Sequence, residues 1–248
     1  MEGLLQFQLD VRLTEAQPKL DRWAPIDVLR GWAIVLMVLD HVRAFVAPAG
    51  ANPTDWETTT VAFFLVRWVT HLCAPAFIFL MGVSAALRYR KKPEDMRKFL
   101  VTRGLWLILL ELTWVSFSWS WDITQSNLGV LWSLGTAMLL LAPVVHLPSR
   151  WLATAGGLLL LGLEMVNVQI DGTLRILFQP ASVNIFGHRV GGAYVVLPWF
   201  GVALLGWGTA HWLVAASRAL LSRIGLVLLV GFALYRGLSW TDPDPWAS

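Results

Sequence analysis

Charge is scarce in this chain. Only 14% of its 248 residues are Asp, Glu, Lys or Arg, against roughly 25% in ordinary soluble domains. With 56% of residues hydrophobic, a soluble fold of this size cannot hide its apolar surface, but a bilayer can. A single cysteine, Cys73, excludes an intrachain disulfide. No cleavable leader is visible: the first stretch carries Glu2, Asp10, Glu15 and Gln17 and no sustained apolar run. The first apolar segment is therefore expected to be its own uncleaved insertion signal. There is no internal repeat, no low-complexity linker, no metal-ligand spacing and no Gly-rich phosphate loop. Nothing in the residue pattern points to nucleic acid.

What the sequence holds instead is seven apolar segments, 26–46, 61–87, 100–119, 128–146, 151–166, 193–215 and 224–235. A spanning helix needs about 20 mostly apolar residues. The expected fold is all-α: a polytopic transmembrane helix bundle of about seven spans, as one domain over 1–248. Within it, 1–25 is a cytoplasmic N-terminal segment, 26–236 the bundle and 237–248 a tail. The fourth and fifth segments are separated only by His146–Arg150 and read as a tight helical hairpin. The seventh is short for a span. Placing the N-terminus in the cytoplasm puts most Lys and Arg on that side, including Arg88, Arg90, Lys91, Lys92, Arg97, Lys98 and Arg103. The opposite orientation reverses this bias. Two outer loops result, 47–60 with Asp55, Trp56 and Glu57, and 167–192 with Asp171, Arg175, His188 and Arg189. Many of the 15 tryptophans fall at span ends, where amphipathic rings favour the headgroup level. Trp114, Trp119 and Trp121 also suit a sugar-stacking platform.

Ionisable groups inside spans cost about 2.5–3.5 kcal/mol each on insertion scales, and they usually pair within the bundle. They are the candidates for chemistry. Arg30 and His41 in the first segment are 11 residues apart; at about 100° per residue they share one face, roughly 16 Å apart along the axis. Asp27 lies on that face as well, and Asp40 about 100° from His41. Arg67 and His71 fall one turn apart, with Pro75 a turn further. Glu111 sits mid-segment, with Ser118 and Asp122 on nearly its face; His41, Arg67 and Arg103 are its candidate partners. Glu164 has only Asn167 nearby. The cluster Arg88, Arg90, Lys91, Lys92, Arg103 has two readings. One is a topology signal and anchor to anionic lipid; the other is a landing site for a polyphosphorylated cytosolic donor.

Five stretches carry a family likeness. They are 22–43 (RWAPIDVLRGWAIVLMVLDHVR), 67–82 (RWVTHLCAPAFIFLMG), 102–113 (TRGLWLILLELT), 197–201 (LPWFG) and 242–246 (DPDPW). Together the sequence resembles bacterial membrane proteins related to the heparan-alpha-glucosaminide N-acetyltransferase catalytic domain. Arg30, ten residues and His41 also match the hallmark of the related acyltransferase-3 group. The resemblance implies acyl transfer across a bacterial cytoplasmic membrane. The donor is cytosolic acetyl-CoA, and the acceptor is a sugar hydroxyl or amine on the far side. It implies a catalytic role for His41 and a donor-side or structural one for Arg30. In the heparan enzyme the catalytic His comes from the loop after the first span; here 47–60 holds no His, so the assignment rests on the acyltransferase-3 pattern. Relatives continue beyond the DPDPW segment with further spans, which implies a truncated chain.

On this reading His41 deprotonates the acceptor or carries the acetyl group itself. His71, Asp40 or Glu111 orients it, and Arg67 stabilises the oxyanion. Two other classes stay open. Intramembrane His, Glu and Arg also build proton-coupled transporters, although no inverted repeat supports one. A non-catalytic membrane subunit is the other. The oligomeric state, including a homo-oligomer, is open.

Overall fold

The computed structural model describes residues 24–47, 59–165, 179–192 and 194–238. Residues 1–23 of the expected segment 1–25, most of the 47–60 loop, Asp171, Arg175 and the DPDPW motif lie outside the described residues, as do the side chains of Glu164 and Arg236.

The described chain is mostly helical. Helix α1 is Ala24–Val46, α2 Val61–Thr70, α3 Cys73–Lys91 and α4 Met96–Leu110. A π-helical turn, Glu111–Val115, joins α4 to α5, Ser116–Ser120. Strand β1 (Gln125–Leu128) precedes α6 (Val130–Leu141) and α7 (Ser149–Met165). Strands β2 (Ala181–Ile185) and β3 (His188–Gly192) precede α8 (Val196–Ala215) and α9 (Arg218–Leu238). The apolar segments thus all become helix, with three differences. Segment 61–87 breaks at His71-Leu72, because Pro75 has no N–H to continue the helix through that turn and sits instead in the first turn of α3. The seventh helix, at 21 residues, is longer than its apolar window, since Arg218 and Arg223 interrupt hydropathy but not helix. The fourth and fifth segments, α6 and α7, do not form a closely packed hairpin. A turn over 142–148 separates them, and α7 lies along α8 instead.

Helix α8 is the hub, packed against α3, α7 and α6. Glycines set its close approach to α3: a Cβ on Gly82 would strike the Ala203 carbonyl, and one on Gly206 the Phe79 carbonyl. The core holds Leu80, Val83, Met96, Leu100, Leu141, Leu204 and Trp207. Helices α4 and α6 approach by the same device. A Cβ on Gly135 would lie 2.6 Å from the Gly104 carbonyl oxygen.

Among the described residues, two helical stretches are long and apolar enough to cross a membrane, Val61–Lys91 and Met96–Ser120. Only 22% of the apolar window of the second is buried inside the protein, and Leu105, Trp106, Leu109 and Trp114 face outward. A soluble core helix would be covered; an outward row of this kind matches hydrocarbon. Helix α1 likewise exposes Trp32, Val35, Val38, Val42 and Phe45.

The loop regions also hold a small sheet, in the order β1-β3-β2. Strands β2 and β3 form a hairpin through Phe186 and Gly187, both at positive φ (51° and 83°), the backbone that twists a two-residue turn into register. Strand β1 runs parallel to β3, with Gln125 opposite Arg189 and Leu128 opposite Gly192. Ser116 fastens the sheet to the bundle: its hydroxyl donates to the Asn127 carbonyl (3.1 Å) and accepts from the Asn127 N–H (3.0 Å).

Candidate functional site

The bundle has a cavity at each end, and α1 reaches both. The cavity at the sheet end has a volume of about 1100 Å³. Met37, Asp40 and His41 of α1, Arg67, Phe77, Glu111, Trp119 and Leu134 border it, and Asn127, Ser182, Gly191 and Gly192 of the sheet form its rim. The cavity at the other end, of about 1160 Å³, is bordered by Asp27, Arg30, Ser84, Arg88, Arg90, Lys91, Lys92, Phe99 and Arg103. Helix α3 contributes Phe77 to the first and Met81 to the second; α6 contributes Leu134 and Met138. Four residues are one turn, about 6 Å of rise. The wall between the cavities is therefore a single apolar layer, built on Ile78, Met81 and Ala137 and backed by Leu134 and Met138.

Helical register puts His41 in the sheet-end cavity. Its ring meets Trp119 edge-on, with centroids 5.1 Å apart, and Trp119 in turn stacks on Phe45 at 5.1 Å and 8°. Of the three tryptophans with sugar-stacking potential, only Trp119 borders the cavity; Trp114 and Trp121 point outward. His41 makes no hydrogen bond or ion pair among the described residues, so both ring nitrogens are open to a ligand.

Asp40 does not orient His41. A hundred degrees around the helix, its carboxylate accepts from the Thr70 hydroxyl (2.7 Å), Arg67 (3.2 Å) and Arg43 (3.1 Å). Two guanidiniums and a hydroxyl more than offset the charge of one carboxylate and fill most of its acceptor sites. Sequence reasoning misses Thr70 and Arg43 as site residues; Arg43 is at i+3 from Asp40, a legible spacing, while Thr70 carries no sequence signal.

Glu111 also differs from expectation. It is 3% exposed, yet none of the expected partners, His41, Arg67 or Arg103, holds its carboxylate. Oε2 instead accepts the backbone N–H groups of Leu131 (2.8 Å) and Trp132 (3.2 Å), the unpaired donors in the first turn of α6. The positive end of that helix dipole does the work of a cation. The π turn that starts at Glu111 rotates the helix beyond it, so Ser118 and Asp122 leave its face. Ser118 bonds the Val115 carbonyl (2.8 Å). Asp122 lies beyond the helix, past Trp121 at φ 53°. There it accepts from the Thr124 N–H and hydroxyl, both at 2.8 Å, and these donors hold its carboxyl below the usual aspartate range.

His71 and Arg30 are the two expected catalytic residues that do not border the sheet-end cavity. His71 sits at the break after α2, exposed. Arg30 is at the opposite end, where it donates to the Ser84 hydroxyl (2.8 Å) and pairs with Asp27 (3.6 Å). Neither Ser84 nor Phe99 stands out in the sequence. The expected donor residues Arg88, Arg90, Lys91, Lys92 and Arg103 do come together around one cavity. No group of His, Cys, Asp and Glu among the described residues could hold a metal ion.

No curated protein and no solved structure matches the chain. A family model does: heparan-alpha-glucosaminide N-acetyltransferase, catalytic, over residues 22–234. That stretch takes in α1, both cavities and the sheet. With two apolar helices and most of its length covered by that model, this membrane protein belongs to the heparan-alpha-glucosaminide N-acetyltransferase catalytic-domain family of acetyltransferases.

Proposed function

We propose that the protein transfers an acetyl group across a bacterial cytoplasmic membrane, with about seven spans and a cytoplasmic N-terminus. The donor is acetyl-CoA, seated in the basic cavity on the cytoplasmic side. The acceptor is a sugar hydroxyl or amine entering the sheet-end cavity from outside. The observation that carries this reading is the pair of cavities set end to end along α1, with one apolar turn of α3 and of α6 between them. Cations around the first suit phosphates; an imidazole beside a tryptophan face in the second suits a sugar. A thioester arm has only about 6 Å of apolar wall to cross before it enters the cavity that His41 borders.

His41 acts as the general base. It takes the proton of the acceptor as oxygen or nitrogen attacks the thioester carbonyl. The new C–O or C–N bond forms, the C–S bond breaks, and the CoA sulfur leaves with the proton that His41 returns. Arg67 stabilises the developing oxyanion from the rim, held in place by Asp40. Trp119 steers the imidazole and offers the sugar a face. His41→Ala, tested in vesicles with labelled acetyl-CoA, should lose about 10²–10⁴-fold in turnover. Undiminished transfer would remove His41 from the chemistry. Movement of a sugar without CoA release would favour a carrier.

A further inference from the structure

His41 is not the only open hydrogen-bonding group bordering the sheet-end cavity. Tyr194 borders it too, from the short link between β3 and α8. Its backbone N–H donates to the Leu128 carbonyl (3.3 Å), which ties it to β1. Its ring packs against Trp199 of α8, with centroids 5.4 Å apart. Sheet and bundle thus fix the residue from both sides. The phenol is half-buried. Its hydroxyl meets no hydrogen-bond partner among the described residues, yet it is not one of the polar atoms closed off from water. Tyrosine hydroxyls away from bulk solvent usually find a partner; this one keeps its proton free for a ligand. The charges that act on it are those of the cavity, Arg67 first, then Asp40 and Glu111. Arg67 itself is only part of an oxyanion site, because Asp40 holds one of its Nη atoms (3.2 Å) and offsets its charge.

We infer that Tyr194 is a second oxyanion donor: its hydroxyl hydrogen-bonds the thioester carbonyl oxygen, and that bond strengthens as the oxygen becomes charged. The inference rests on the acetyl-transfer reading above and adds a catalytic residue to it. No proton is transferred in this contact. As the acceptor attacks, the carbonyl π pair moves onto oxygen, where the phenol O–H and Arg67 meet it. When the C–S bond breaks, the pair returns to the carbonyl and the contact relaxes. A donor bonded to an anion is roughly twice as strong as the same donor bonded to a neutral oxygen. Most of the benefit therefore falls in the transition state, as catalysis requires. A hydroxyl held in place from two sides reaches that state without reorganising.

The test uses Tyr194→Phe, which removes only the hydroxyl, in the full chain in vesicles. CoA release from acetyl-CoA is followed with glucosamine as the acceptor. Tyr194→Phe should lower kcat about 10²–10³-fold, the usual cost of one oxyanion donor, and keep KM for acetyl-CoA within about threefold. Its melting should match wild type, because the hydroxyl has no partner to lose. A second readout needs no turnover. In His41→Ala, the infrared carbonyl stretch of bound, carbonyl-labelled acetyl-CoA should rise when Tyr194→Phe is added, as the thioester loses a donor. That measurement requires no acceptor, so it decides the case even where glucosamine is a poor one. An unchanged kcat, a loss confined to KM for glucosamine, or an unmoved carbonyl stretch would each overturn the assignment and leave the acetyl-transfer reading standing. A wild-type chain that neither binds acetyl-CoA nor releases CoA would overturn both.

Discussion

Replacing Glu111 with alanine tests the least expected contact in the structure. The carboxylate accepts two backbone N–H groups at the start of α6, at 2.8 and 3.2 Å. Alanine strands both donors at a site where the glutamate itself is 3% exposed. Each buried donor left unpaired costs about 1–3 kcal/mol, so the pair amounts to about 2–6 kcal/mol. At about 2–4 °C per kcal/mol for a chain of this size, thermal unfolding in detergent should fall by roughly 5–20 °C. Glu111→Gln keeps one carbonyl oxygen in place and should lose less than half as much. Alanine and wild type melting together would refute the view that Glu111 holds α6. The carboxylate would then be available for chemistry beside His41, and kcat would have to fall instead.

Other perturbations read other parts of the fold. In Gly135→Ala, the new Cβ would stand 2.6 Å from the Gly104 carbonyl oxygen, against about 3.5 Å for a comfortable contact. Helices α4 and α6 must part by nearly 1 Å, and both stability and transfer should drop, measured by melting and CoA release. The Asp122 turn gives a pH signature. Its carboxyl is held below the ordinary 3.8, so its stabilisation is complete above that value and is lost as pH falls through the lower, folded one. Hydrogen exchange at β1 should speed up only in that acid window. Asp122→Asn, which keeps an acceptor oxygen, should remove the pH dependence while preserving most of the protection.

The helical order is legible because hydrocarbon-facing and bundle-facing helices share one signal, an apolar run of near-membrane length. Segment 26–46 differs from Ala24–Val46 by two residues. The ends are less legible wherever something other than hydropathy sets them. Pro75 splits 61–87 through a missing donor. Arg218 lies inside a helix that its charge excludes from an apolar window. The sheet is illegible: its strands carry Gly191, Gly192, Ser182 and Asn127, residues of low strand propensity, and its parallel pair joins positions more than 60 residues apart. Only the tertiary fold brings them together.

The site shows where a helical wheel stops being sufficient. The wheel places Arg30 and His41 on one stripe, roughly 16 Å apart, and the structure puts each beside its own cavity; what the wheel cannot show is the apolar layer of α3 and α6 that divides them. Glu111 shows a second limit. A mid-membrane carboxylate demands positive charge, and sequence reasoning searches for that charge among side chains. Here it comes from peptide dipoles at the start of α6, which any sequence supplies equally, and from Gly129, where a Cβ would crowd Oε1 at 2.8 Å. The glycine is thus the one readable trace of the partner. Asp40 is the converse: it takes Arg67, one of the cations that Glu111 is expected to need. With both carboxylates engaged elsewhere, His41 borders the sheet-end cavity with no hydrogen bond or ion pair among the described residues, which is what the proposed base requires.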